Sequence, residues 1–133
     1  MDIFFGIFIA FAYIVAVVVT RQITTLLHEM GHAIPAVLFN KTPQPVQVFI
    51  GSYGDISNTI RLNFNRLQLF IKPRILDWKL GMCKSPPTGS IPKDIIITLG
   101  GPLASTLIAG VFLYVIIYTG GSDLWITFAA ICM

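Results

Sequence analysis

Residues 26–34 of the chain are "LLHEMGHAI". The chain has only two histidines, His28 and His32, and both stand in this stretch, with Glu29 beside the first. Their neighbours are leucine, methionine, glycine and alanine. An ionisable group in apolar surroundings is disfavoured by several kcal/mol unless it meets a partner or a wet cavity. Three such groups together therefore imply a cavity, a metal, or both.

Residues 3–39 contain no helix breaker except Pro35, near the end. At 100° per residue, His28 and His32 fall about 40° apart on one helix face, one turn above the other. That spacing lets two imidazoles hold one tetrahedral Zn2+, with Glu29 placed to reach a metal-bound water. Arg21, Gln22, Thr24 and Thr25 lie within about a third of a turn of the histidines by the same arithmetic. Residues 3–19 carry no polar stripe beyond Tyr13. The outer half of the helix thus suits lipid all round, while the inner half is polar on one side. Thr24 and Thr25 are expected to bond back to helix carbonyls, and Gly31 to admit a close helix neighbour.

Composition sets the environment. Of 133 residues, 55% are hydrophobic and 11% charged, with a mean hydropathy of +0.79. Soluble domains carry about a quarter charged residues, so the chain lacks the polar surface that water requires. The run 3–20 is uncharged and close to the roughly 20 apolar residues that cross a bilayer. No basic region precedes it as in a cleavable signal peptide. A second such run covers 95–119, and a third opens at "LWITFAAICM" (124–133). Ten apolar residues make half a crossing, so the sequence is expected to be the front part of a longer protein.

Eight of the nine Lys and Arg residues lie between 40 and 94, against Asp55, Asp77 and Asp94, which gives that loop 8 − 3 = +5. Basic loops of up to about 60 residues tend to stay cytoplasmic. The N-terminus is therefore expected outside and the loop 40–94 inside. No base-stacking or groove-reading module accompanies these charges, so no nucleic-acid partner is expected. Cys83 and Cys132 show neither zinc spacing nor a disulfide framework, and read as packing residues.

Inside the loop, "PVQVFIGS" (45–52) and "TIRLNFNRLQLFI" (59–71) alternate with period two, which predicts two strands joined by a turn at "SYGDISN". An exposed strand edge could hold an extended substrate by strand addition. "KSPPTGSIPKD" (84–94) leads into the second span, with Asp94 expected as its N-cap. Early in that span, "LGGPLAS" (99–105) has the small residues and proline that admit another backbone closely. The expected fold is an all-α polytopic membrane protein with a small β-strand insertion on the cytoplasmic side. It forms a single membrane domain over 1–133, made of span 3–39, loop 40–94, span 95–119 and the apolar segment from 124.

Taken together, "HEMGH" (28–32) in the first span, the strand-bearing segment 46–71 and "GGPLAS" early in the next span resemble the site-2 protease family of intramembrane zinc metalloproteases. The resemblance covers nearly the whole chain and implies a site-2-protease-like core. It implies that His28 and His32 are zinc ligands and Glu29 the catalytic base. Gly101, Pro102 and Ser105 become candidate substrate-contacting residues. The implied activity is hydrolysis of peptide bonds in membrane-anchored proteins, in a bacterial inner or plasma membrane. A catalytically inactive protein of the same fold, acting as a binding or scaffold subunit, is the alternative. Two features depart from the family pattern. Ser105 stands where the family usually has Asn, and the Asp-bearing motif that supplies the third zinc ligand is missing. Asp123 falls roughly 30 Å along the helix from Pro102, Asp94 reads as a cap, and Asp55 and Asp77 lie in loops. The third ligand is therefore expected beyond Met133. Nothing in the sequence speaks to oligomeric state.

Overall fold

A run with no proline before Pro35 produces one long helix, α1 (Ile3–Phe39), of 37 residues. At 1.5 Å per residue it is about 55 Å long, well beyond the roughly 30 Å of a hydrocarbon core. The computed structural model describes residues 3–119. After α1 come β1 (Val46–Ile50), β2 (Ile60–Phe64), β3 (Leu67–Ile71), a 3-10 turn (Ile75–Lys79), β4 (Gly81–Lys84) and the helix α2 (Ile91–Thr119).

The four strands form one mixed sheet in the order β2-β3-β1-β4. β1 runs parallel to β3 and antiparallel to β4, while β2 and β3 form an antiparallel hairpin. The described residues are therefore an α+β structure, and the all-α polytopic expectation is wrong. The strands are not a minor insertion, because they supply much of the core. Val46, Val48 and Ile50 are fully buried against Ala33 and Ala36 of α1 and Ile97 of α2. Burying each such side chain contributes about 1.5–3 kcal/mol relative to exposure in water.

The stretch 59–71 is two strands rather than one. Its apolar positions run 60, 62, 64 and then 67, 69, 71, so the alternation slips by one residue at Asn65. Asn65 takes a left-handed φ of 45°, a conformation that asparagine tolerates in turns. The chain reverses there, and Leu62 comes opposite Leu69 and Phe64 opposite Leu67. The segment 52–58 does not join two adjacent strands, because β3 lies between β1 and β2.

Cross-strand register gives the sheet two unlike faces. One carries the rows Ile60–Ile71–Ile50–Gly81 and Leu62–Leu69–Val48–Cys83. Its β1 and β4 portions pack on α1. The other carries Arg61–Phe70–Phe49–Met82 and Asn63–Gln68–Gln47–Lys84. There Phe49 stacks on Phe70 at 4.8 Å between centroids, and the Arg61 guanidinium sits 5.5 Å over the Phe70 ring.

α2 starts at Ile91, earlier than the expected 95, because Pro92 falls in the first turn, where a missing N–H costs nothing. Asp94 is thus within the first turn instead of capping it. Its carboxylate accepts bonds from the Thr88 N–H (3.2 Å) and hydroxyl (2.8 Å), closing the turn before the helix. α1 and α2 meet at Gly31 and Gly100. A Cβ on Gly100 would strike the Gly31 carbonyl oxygen, and a Cβ on Gly31 the Gly100 carbonyl oxygen. Pro35 cannot donate to that Gly31 carbonyl, which leaves it facing α2. Both helices are long and apolar enough to cross a membrane. The expected segment 124–133 lies outside the described residues.

Candidate metal centre

The close approach of the two helices places α2 directly against the histidine face of α1. His32 Nδ1 lies 2.8 Å from the Ile97 carbonyl oxygen. A carbonyl can only accept, so Nδ1 carries the proton and Nε2 keeps the lone pair that a metal needs. The Gly101 N–H also points at His32 Nδ1, at 3.3 Å. The shorter carbonyl contact governs the tautomer, because a protonated Nδ1 cannot accept. On the other ring, His28 Nδ1 lies 2.9 Å from Ser105 Oγ.

With both Nδ1 atoms engaged, the two Nε2 atoms face one another 3.3 Å apart. Two nitrogens bound to one tetrahedral zinc at 2.0–2.1 Å stand about 3.3 Å apart. The rings meet edge to face, at 80° with centroids 5.0 Å apart, so their lone pairs converge instead of stacking. The residues present therefore fit a zinc ion on the donor side. Ser105 and the Ile97 carbonyl hold the two rings as outer partners do around metal-binding imidazoles elsewhere.

Gly101 is buried beneath the His32 ring, where an added Cβ would overlap Nε2 and come within 2.6 Å of Cδ2 and Cε1. Pro102, next along α2, is exposed. Of the three candidate substrate residues, Gly101 and Ser105 thus contact the imidazoles, and Pro102 stands away from them.

Glu29 is 7% exposed and turns towards β4. Its carboxylate faces the backbone of Cys83. A Cβ on Gly81 would lie 2.6 Å from Glu29 Oε1 and Cγ. Gly81 and Cys83 escaped the sequence reading, since their nearness to Glu29 depends on how the sheet packs. Burial, and then the Glu29 charge, push the Cys83 thiol up to about 12.

The polar stripe divides by depth. The Thr24 and Thr25 hydroxyls donate back to the carbonyls of Thr20 (2.9 Å) and Arg21 (3.1 Å). Arg21 is exposed and makes no ion pair with Glu29 among the described residues. Gln22 is buried, and its Oε1 has no partner among them. Among the described residues no group of three or more His, Cys, Asp or Glu converges on one point. Asp55 instead pairs with Lys72 at 2.7 Å, and Asp123 lies outside the described residues. The described part of the site brings together two imidazole nitrogens with one carboxylate nearby. Compared with protein families, with characterised proteins and with solved structures, the chain matches none.

Proposed function

We propose that the chain carries the zinc centre of an intramembrane metalloendopeptidase of the site-2 protease type, cutting membrane-anchored proteins. The single observation that supports this reading is the 3.3 Å gap between the Nε2 atoms of His28 and His32. Two bare lone pairs at that distance repel unless a cation or proton lies between them. When bound, zinc supplies an acidified water and polarises the scissile carbonyl.

The chain's own residues do the rest. His28 and His32 hold the ion, with Ser105 and the Ile97 carbonyl fixing ring orientation. Glu29 takes the proton of the attacking water and delivers it to the leaving nitrogen. β4, an edge strand beside Glu29, offers backbone groups to an extended substrate segment. The basic loop fits a multi-pass arrangement with the sheet on the cytoplasmic side.

A catalytically silent scaffold of the same fold is the competing reading, favoured by the two-ligand donor set among the described residues. Cleavage separates the two. The reconstituted chain is expected to cut within a panel of single-span peptides, and Glu29→Gln or a chelator to abolish the cut. Peptides left intact by zinc-loaded wild-type protein would leave the scaffold.

A further inference from the structure

The sheet face turned away from α1 carries a cavity of about 580 Å3 that the zinc reading does not use. Ligand pockets run from about 300 to 1,000 Å3. Phe49 and Phe70, stacked on one another, lie beneath it, and Tyr53 and Ile56 form a wall from the loop after β1. One polar side chain reaches it from each of the four strands: Arg61 from β2, Gln68 from β3, Gln47 from β1 and Lys84 from β4.

The charges there are of one sign. Arg61 and Lys84 line the cavity, and no carboxylate does. Asp55, in the adjoining loop, is held by Lys72 at 2.7 Å, and neither Arg61 nor Lys84 makes an ion pair among the described residues. The Arg61 guanidinium stands over Phe70 of β3, two strand spacings, roughly 10 Å, from the strand that carries Lys84. A ligand that meets both cations is therefore long as well as anionic.

Between the cations, Gln47 Nε2 donates to Gln68 Oε1 at 3.2 Å. That bond leaves Gln47 an acceptor and Gln68 a donor to offer, the pair that a nucleobase edge matches. Tyr53 is 68% exposed and Arg61 is exposed, and phenol and guanidinium both take a stacked base. An extended peptide suits the place less, because a strand adds at a sheet edge and this cavity lies on the face. A polynucleotide needs a run of cations along its backbone, and two do not make one.

We propose that this face of the sheet binds a nucleoside phosphate, with its ring against Tyr53 and Arg61, its polar edge on the Gln47–Gln68 amides and its phosphates at Lys84. The inference is independent of the zinc reading, since the histidines lie on the opposite side of the sheet.

The test is equilibrium dialysis of radiolabelled ATP against the full chain in detergent, free of zinc and magnesium. Saturable binding of one ATP per chain is expected. Lys84→Ala and Arg61→Ala should each weaken it about tenfold, as for loss of one charge-assisted contact. Tyr53→Ala should weaken it at least about fivefold, as for loss of one stacking partner. Arg74→Ala, a cation outside the cavity, should leave it unchanged. Competition on wild-type protein needs no variant to fold: unlabelled ATP should displace the label far better than inorganic triphosphate or adenosine. No saturable binding overturns the proposal, as does binding that Arg61→Ala and Lys84→Ala both retain in full. Displacement by triphosphate as effective as by ATP also overturns it, because the face is then a plain anion patch that reads no base.

Discussion

His32 Nδ1 and the carbonyl oxygen of Ile97 lie 2.8 Å apart, so α2 decides which nitrogen of an α1 histidine is free. The bond spans the contact where Gly31 and Gly100 bring the two backbones together. A helix pair that packed more loosely would leave the ring without its orienting carbonyl.

Ser105 holds the other ring, and its hydroxyl is expected to matter through the metal. Ser105→Ala should weaken zinc affinity about tenfold or more, the usual effect of losing an outer-shell partner. Ser105→Thr, which keeps the hydroxyl, should restore most of it. Competition with a chromogenic chelator measures both.

Gly101 is expected to be less tolerant than Ser105. Alanine there puts a methyl group where the His32 ring stands, so the ring must turn and Nε2 leaves its place. Gly101→Ala should lose more zinc affinity than Ser105→Ala, with helix content by circular dichroism unchanged.

The loop 51–59 should respond to acid in a defined window. A bond from the Lys72 ammonium, then bonds from the Ser57 N–H and hydroxyl, hold the Asp55 carboxyl down at about 2. An unfolded aspartate titrates near 3.9. The folded value is the lower one, so the pairing contributes fully above about pH 4 and is lost as pH falls through about 2. Titration of the Asp55 carboxyl should show this midpoint, and Lys72→Met should move it up towards the unfolded value.

Cys83 is expected to be chemically quiet, its thiol lying at about 12. At pH 8 its alkylation by iodoacetamide, followed on the Cys83 peptide, should be at least about a hundredfold slower than in urea-unfolded chain, because thiolate is the reactive form. Glu29→Gln removes the neighbouring negative charge and should speed it.

The pairing of the two histidines was legible because its geometry is local. Two histidines one turn apart share a face in any helix, so 28 and 32 needed no knowledge of the fold. The sheet was only partly legible. The phase slip at Asn65 stands in the sequence, but a run of alternating residues reads as one strand unless the slip is counted. The parallel pairing of β1 with β3 has no local signature, since it brings together strands with the β2 hairpin arm between them. β4 is the short "GMCK", whose glycine and cysteine carry no strand pattern. Its importance arises only from Glu29 lying against it. Ser105 stood out as a departure from a family pattern, and folding turns it into a histidine's partner.

Stoichiometric zinc titration of the purified protein decides whether His28 and His32 share one cation. One zinc per chain is expected, lost in His28→Ala and in His32→Ala alike, and weakened but retained in Ser105→Ala. No zinc in wild type, or zinc that survives both histidine substitutions, would contradict it.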